Sequence, residues 1–260
     1  MSMILHTRIA GETQRTVVLL HGLLGLGSNL GAIARALAPQ ARVISPDLRN
    51  HGQSFRAPGM QYRELAGDLA RTLDALGVER AALLGHSMGG KLAMQFALDY
   101  PQRCERLLVA DIAPVAYAAH HGPVFDALEA IALCPEADRR ETARLLEERL
   151  RNPALVSLLL MHRERVADGS WAWRLGLREI IEGYPAILAP PASGSSGDRW
   201  DGPALFLRGE RSDYVQPAHQ SAILGLFPRA VTETLSGAGH WLHAEAPDRF
   251  IPRACAFLLA

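Results

Sequence analysis

The chain has 260 residues, 48% of them apolar, and its 27 basic and 27 acidic side chains give a formal net charge of zero. That content is enough for a large core and excludes disorder, while the absence of a basic stripe with interleaved aromatics leaves no support for nucleic-acid binding. Cys104, Cys134 and Cys255 lie far apart without a CxxC pair, which suits reduced thiols and argues against a disulfide framework.

The N-terminal stretch "MSMILHTRIAGETQR" has no sustained apolar region, because Arg8 interrupts it, so no secretory signal is expected. Strands are expected at "TVVLLHG" (16–22), "ARVISPD" (41–47), "RAALLGHS" (80–87), "RLLVADIA" (106–113), "PALFLRGE" (203–210) and "AVTETLS" (230–236). The first five are short and nearly continuous in hydrophobicity, as strands covered on both faces must be. Between the second and third, Leu65, Leu69, Leu73 and Leu76 recur at helical spacing over residues 61–77, with Gly77 as the C-cap. Alternating strands and helices predict an α/β fold with a mostly parallel, doubly wound sheet.

The alternation stops between residues 115 and 199, where the pattern is helical, rich in Arg and Glu, and without an expected strand. We read 115–199 as a helical cap inserted into a core made of 1–114 and 200–260. The connection "PPASGSSGDRW" returns the chain to the strand pattern. Bulky residues of the insertion, among them Phe125, Leu128, Leu155, Trp173 and Tyr184, are expected mostly to pack it onto the core, with some lining a pocket. The longest apolar run, Ala154 to Met161, is far short of the roughly 20 residues a membrane span needs, so a soluble, cytoplasmic chain is expected.

Gly85-His86-Ser87-Met88-Gly89 fits G-x-S-x-G between an apolar strand and a helix, the context of a nucleophile elbow. A serine hydroxyl needs a base, and His240 in the Gly-rich loop "SGAGHWLH" is the candidate. His243 is expected to serve local packing, His86 to point away from the serine, and His120-His121 to lie on a surface loop with no ligand-spaced partners. An acid must orient His240, and two aspartates sit where chain order allows one: Asp111 at the end of "RLLVAD" and Asp213 in "RGERSDYV". Two amides are needed for an oxyanion, one from Met88 after the serine and one from Leu23 in "LLHGLLG". "GLLGLG" (22–27) matches neither the P-loop nor GxGxxG, so no nucleotide is implied. Lys91 fails the S-x-x-K spacing and is expected to face outward.

Together "LLHGLLG", "DLRNHGQS", "GHSMGGK", "DIAPV" and "GAGHWLHAEAPD" resemble the α/β-hydrolase superfamily almost end to end. "DLRNHGQS" with "GHSMGGK" and "DIAPV" is similar to a narrower branch, the YbfF-like serine esterases and their animal mitochondrial relatives. The resemblance implies an α/β-hydrolase fold and hydrolysis of carboxylic esters or thioesters of small to medium acyl groups through a Ser87 acyl-enzyme. His240 would be the base, Leu23 and Met88 would bind the oxyanion, and no metal or organic cofactor is implied. It also places the acid at Asp111, with Asp213 as the alternative. A C–C hydrolase, lactonase or acyltransferase could use the same groups, and a non-catalytic binding protein on this fold is the reading from another class. Nothing in the sequence specifies an oligomeric state.

Overall fold

The computed structural model describes residues 3–191 and 199–260, and in it all six expected strands are present. The chain begins with β1 (Thr7–Ala10) and β2 (Thr16–Leu20), then α1 (Gly31–Leu37), β3 (Arg42–Pro46) and α2 (Tyr62–Ala75). β4 (Ala81–His86), α3 (Met88–Asp99) and β5 (Cys104–Ala110) follow. In β2, Val17 and Leu19 enter one core cluster while Val18 and Leu20 enter the other. Each face of the strand is thus covered, which is why its sequence shows no polar alternation. α2 ends as expected: Gly77 takes φ +68° and the Val78 amide reaches back to Leu73 O at 2.8 Å.

The chain after β5 carries α4 (Gly122–Ala132), α5 (Arg139–Leu150) and α6 (Pro153–Leu160). Asp138 caps α5 through Glu141 N at 2.8 Å, and Asn152 caps α6 through Leu155 N at 3.1 Å, with Pro153 opening that helix. Next come β6 (Arg163–Arg165) and β7 (Trp171–Trp173), a short antiparallel hairpin turned at Gly169 (φ +88°), and α7 (Leu177–Leu188). This hairpin corrects the expectation of a strand-free stretch between 115 and 199. Three-residue strands with sequences RER and WAW offer no period to detect. The expected connection "PPASGSSGDRW" falls mostly outside the described residues.

β8 (Ala204–Gly209), α8 (Gln220–Leu226), β9 (Ala230–Leu235), α9 (Leu242–Glu245) and α10 (Pro247–Leu258) complete the chain. Among the described residues the main sheet has seven strands in the order β1-β3-β2-β4-β5-β8-β9, all parallel except edge strand β1. α2 and α3 pack on one face; α1 and α10 cover the other. The order reverses between β2, whose next strand β3 lies on one side, and β4 on the other. That switch point opens a crevice at the C-terminal strand ends, and the loops after β2 and β4 meet there. Among the described residues no helix is long and apolar enough to cross a membrane.

Candidate active site

Ser87 sits at φ 54°, ψ −120°, a conformation that L-residues rarely adopt, at the junction of β4 and α3. Its amide continues the ladder to β5 by donating to Ala110 O at 3.0 Å. The glycines around it are forced by backbone contacts. A Cβ on Gly85 would lie 2.1 Å from Gly89 O, and one on Gly89 would lie 2.3 Å from Leu20 O. Such strain costs on the order of 1–3 kcal/mol and persists only where the surroundings over-determine it. Met88 is the first residue of α3, so its amide has no acceptor within the helix and lies at the positive end of the dipole.

Asp111, also at positive φ (52°), is fully buried at the end of β5. Its Oδ2 accepts from His240 Nδ1 at 2.7 Å and from the Ser212 hydroxyl, and its Oδ1 accepts from Gly209 N at 2.9 Å. A buried carboxylate requires such partners. Because a carboxylate accepts, His240 carries its proton on Nδ1, leaving the Nε2 lone pair free to take another. The His240 loop is pinned in turn: Gly239 N and Trp241 N donate to Glu245, and His86 Nε2 donates to His240 O at 2.8 Å. Asp213 is exposed, and Ser212 and Tyr214 beside it, not Asp213 itself, face this cluster. The Tyr214 ring stacks on His240 with centroids 4.1 Å apart and planes at 23°.

The loop after β2 completes the arrangement. Gly22 packs so closely that a Cβ there would lie 3.3 Å from Ser87 Cβ. Gly25 N returns to Gly22 O at 3.0 Å, making a turn whose central residues are Leu23 and Leu24. Leu24 takes φ +57°, where a turn of this kind ordinarily uses glycine. Leu23, Met88, Ser87 and His240 all line one cleft of about 920 Å³, part of it open solvent. Tyr62, Ile112, Leu155, Leu158, Ile187 and Leu188 supply apolar walls. Of the bulky residues named from sequence, Leu155 and Tyr184 face the cleft, while Phe125 and Leu128 are buried in the core and Trp173 packs against it.

Lys91 is the main correction. It is 1% exposed, not outward-facing, and is the one Lys, Arg, Asp or Glu among the described lining residues. Its Nζ donates to Leu188 O at 2.9 Å and Ala189 O at 2.6 Å, the C-terminal end of α7, and lies 4.7 Å from the Tyr117 ring centroid. Burial pushes its pKa down to about 7, while the carbonyls, the negative helix end and the ring face favour the ammonium. A signal was present: Met88 to Ala97 are all buried, and a helix apolar on every side leaves a lysine nowhere to go.

The other histidines named from sequence, His86, His120, His121 and His243, also line the cleft. His120 is exposed and His121 half-buried, yet both line the cleft. His120 Nδ1–H points to Ala118 O, so Nε2 accepts from the Tyr214 hydroxyl at 2.8 Å, and His121 Nδ1 is 2.7 Å from the Tyr184 hydroxyl. Burial lowers His121 and His243 to about 4 and holds His86 well below its ordinary value. His86 and His243 meet edge to face at 4.7 Å, the packing role expected of His243. Tyr214 escaped the sequence reading, since only its neighbour Asp213 attracted notice. Among the described residues no cluster of His, Cys, Asp or Glu is disposed to hold a metal ion, and the three cysteines are free thiols.

Residues 15–247 match a family model described as alpha/beta hydrolase fold. Esterase YbfF of Escherichia coli (strain K12) is 38% identical over 236 residues, 89% of this chain and 88% of that protein. The sn-1-specific diacylglycerol lipase ABHD11 of Mus musculus is 35% identical over 254 residues, 95% of this chain and 81% of the lipase. A solved structure described as a marine microorganism esterase matches with a TM-score of 0.94 at 37% identity, covering 99% of this chain and 100% of that one. With this family match and these relatives on the same frame, the chain belongs to the alpha/beta hydrolase family.

Proposed function

We propose that this protein is a serine-dependent hydrolase of carboxylic esters or thioesters with small to medium acyl groups. The observation that carries the reading is the 2.7 Å contact between Asp111 Oδ2 and His240 Nδ1, at a cleft that also holds Ser87 on its elbow. In this mechanism His240 Nε2 removes the Ser87 proton as Oγ attacks the acyl carbonyl carbon. The carbonyl oxygen becomes an anion bound by the amides of Leu23 and Met88. His240, oriented by Asp111, returns the proton to the departing alcohol or thiol, leaving an acyl-Ser87 ester. Water then attacks the acyl carbon with His240 again acting as base, and as the acyl–Oγ bond breaks His240 returns the proton to Ser87 Oγ and the carboxylic acid leaves.

Residues 115–199 act in this reading as a cap over a core of 1–114 and 200–260. Leu155 and Leu158 of α6 line the cleft with core residues Tyr62 and Ile112, which supports an acyl pocket shared between the two. The esterase and lipase names of the relatives agree with ester chemistry, and the apolar walls favour acyl chains over polar substrates. The test is hydrolysis of p-nitrophenyl esters from acetate to palmitate by the native protein and by Ser87→Ala. Turnover by the first, with a fall of at least about 10⁴-fold in the second, supports the serine mechanism. Equal turnover by both removes Ser87 from the chemistry.

A further inference from the structure

The turn at residues 22–25 is gripped by two buried histidines, one on each side of its strained residue. His51 Nε2 accepts from Leu24 N at 3.1 Å, and His162 Nε2 is 3.0 Å from Leu24 O. Both rings are fully buried. The tautomers follow from the partners. His51 Nδ1–H is committed to Arg49 O at 2.8 Å, which leaves Nε2 as an acceptor. His162 Nε2 faces a carbonyl at the shorter of its two contacts and donates there; its Nδ1 is 3.3 Å from Arg174 O. Burial keeps His51 well below its ordinary pKa, consistent with a neutral acceptor.

The two histidines come from different parts of the chain. His51 stands in "DLRNHGQS", whose other polar residues lock it in place: Arg49 is bonded to Asp68, and Asn50, at φ +65°, is bonded both ways to Ala57. His162 lies two residues beyond the end of α6, the helix whose Leu155 and Leu158 line the cleft. The same region joins the two stretches by backbone: Gly52 N donates to Arg174 O, and Gly176 N to Asn50 O, each at 2.8 Å. Neither histidine lines the cleft itself, so neither touches the reacting atoms.

We propose that His51 and His162 are positioning residues for the oxyanion turn, clamping the Leu24 peptide groups so that the Leu23 amide is aimed at the acyl oxygen beside Ser87. The inference rests on the serine-hydrolase reading above. Leu24 prefers to leave its positive φ, and a turn relaxed in that way would rotate the two peptide planes that flank it; the Gly22–Leu23 peptide, which carries the Leu23 N–H and meets the first of those planes at the Leu23 Cα, would be displaced with them. His51 supplies the fixed jaw, from the core. His162 supplies the second jaw from the α6–β6 junction, so a displacement of that junction is transmitted to the turn through one hydrogen bond.

The experiment compares native protein with His162→Leu, His162→Gln and His51→Leu, alongside Ser87→Ala. The readouts are kcat and KM for p-nitrophenyl butyrate, KI for an alkylboronic acid, and the rate of labelling by a fluorophosphonate. A boronate adduct and a phosphonylated serine both place an oxygen where the oxyanion develops. Loss of a donor there costs about 10²–10³ in kcat, so misaiming one donor is expected to lower kcat by about 10- to 100-fold in His162→Leu and His51→Leu. KM should stay within about twofold, KI should rise by the factor that kcat falls, and labelling should slow in parallel. His162→Gln, which can still donate to Leu24 O, should recover most of the loss. KM and KI do not depend on the folded fraction, so partial misfolding leaves the test intact. A normal kcat and KI in both leucine variants, or a rise in KM alone, overturns the positioning role while Ser87→Ala stays inactive. An active, unlabelled Ser87→Ala overturns the serine reading itself, and this inference with it.

Discussion

At the C-terminal edge of the sheet, Ser87 and Asp111 are set by backbone. Ser87 N is tied to Ala110 O and Asp111 N to Leu207 O, each residue follows its strand at positive φ, and neighbouring glycines leave no room for a Cβ. Across the cleft, the α4–α7 segment presents Leu155, Leu158 and Tyr184 by side-chain packing, and its α7 end is tied to α3 through the Lys91 ammonium. Backbone placement fixes an atom to fractions of an ångström but tolerates no change of residue. Side-chain placement is softer and can be re-cut without losing the fold. Under the proposed mechanism, chemistry belongs to the first region and selectivity to the second.

The sharpest way to break this division is at Asp111. Asp111→Asn leaves the backbone untouched but offers His240 the wrong partner, and kcat should fall by about 10⁴-fold in the ester assay. Asp213→Asn, at an exposed position, should change kcat by less than about twofold. A large effect of Asp213→Asn with a small one of Asp111→Asn would reverse the assignment. Next in size is Gly85→Ala. Its Cβ would press on the Gly89 carbonyl, and urea unfolding should show a loss of about 2–3 kcal/mol.

Lys91 tests the junction between the regions. Burial holds its pKa in the folded protein at about 7, below the ordinary lysine value of 10.5. Between those two values the unfolded chain binds the extra proton, so stability rises with pH across that window and the contribution is smallest below pH 7. Urea unfolding should show a slope of about 1 kcal/mol per pH unit from pH 7.5 to 9.5 that Lys91→Met abolishes. The substitution also removes the Lys91 donor from Ala189 O and leaves Leu188 O with the Tyr117 amide alone, so its stability is lower throughout. A more modest effect is expected at Leu158→Ala, which enlarges the cleft on the side-chain side. It should shift the preference toward longer acyl chains by about three- to tenfold in kcat/KM, with acetate turnover almost unchanged.

How far these features were legible in the sequence follows the same division. Strands covered on both faces declare themselves as apolar runs, and the G-x-S-x-G glycines declare a turn whose crowding only glycine survives. β1 is four residues with its middle pair exposed, and β6 and β7 are three each, so no periodicity exists to read. Lys91 was misplaced because a lysine's ordinary preference for water outweighed the all-round burial of α3. The choice between Asp111 and Asp213 depends on which strand end His240 reaches, and no spacing along the chain encodes that distance. The clamp on Leu24 was equally hidden, since His51 and His162 are brought to one peptide unit from 111 positions apart by the sheet and α6 together.

The pairing of β5 with β8 sets a limit on how the molecule is made. Leu107 and Ala204 are neighbours in the sheet, yet the whole α4–α7 segment is threaded between them. The Asp111–His240 contact joins residues 129 positions apart and requires β8 to be in place, because Gly209 and Ser212 also bind the carboxylate. Contacts this distant along the chain form late, after the entropy of closing the intervening loop has been overcome. Refolding followed by ester turnover should therefore lag behind refolding followed by helix content, and a nascent chain stopped short of His240 would leave the Asp111 carboxylate without its imidazole partner.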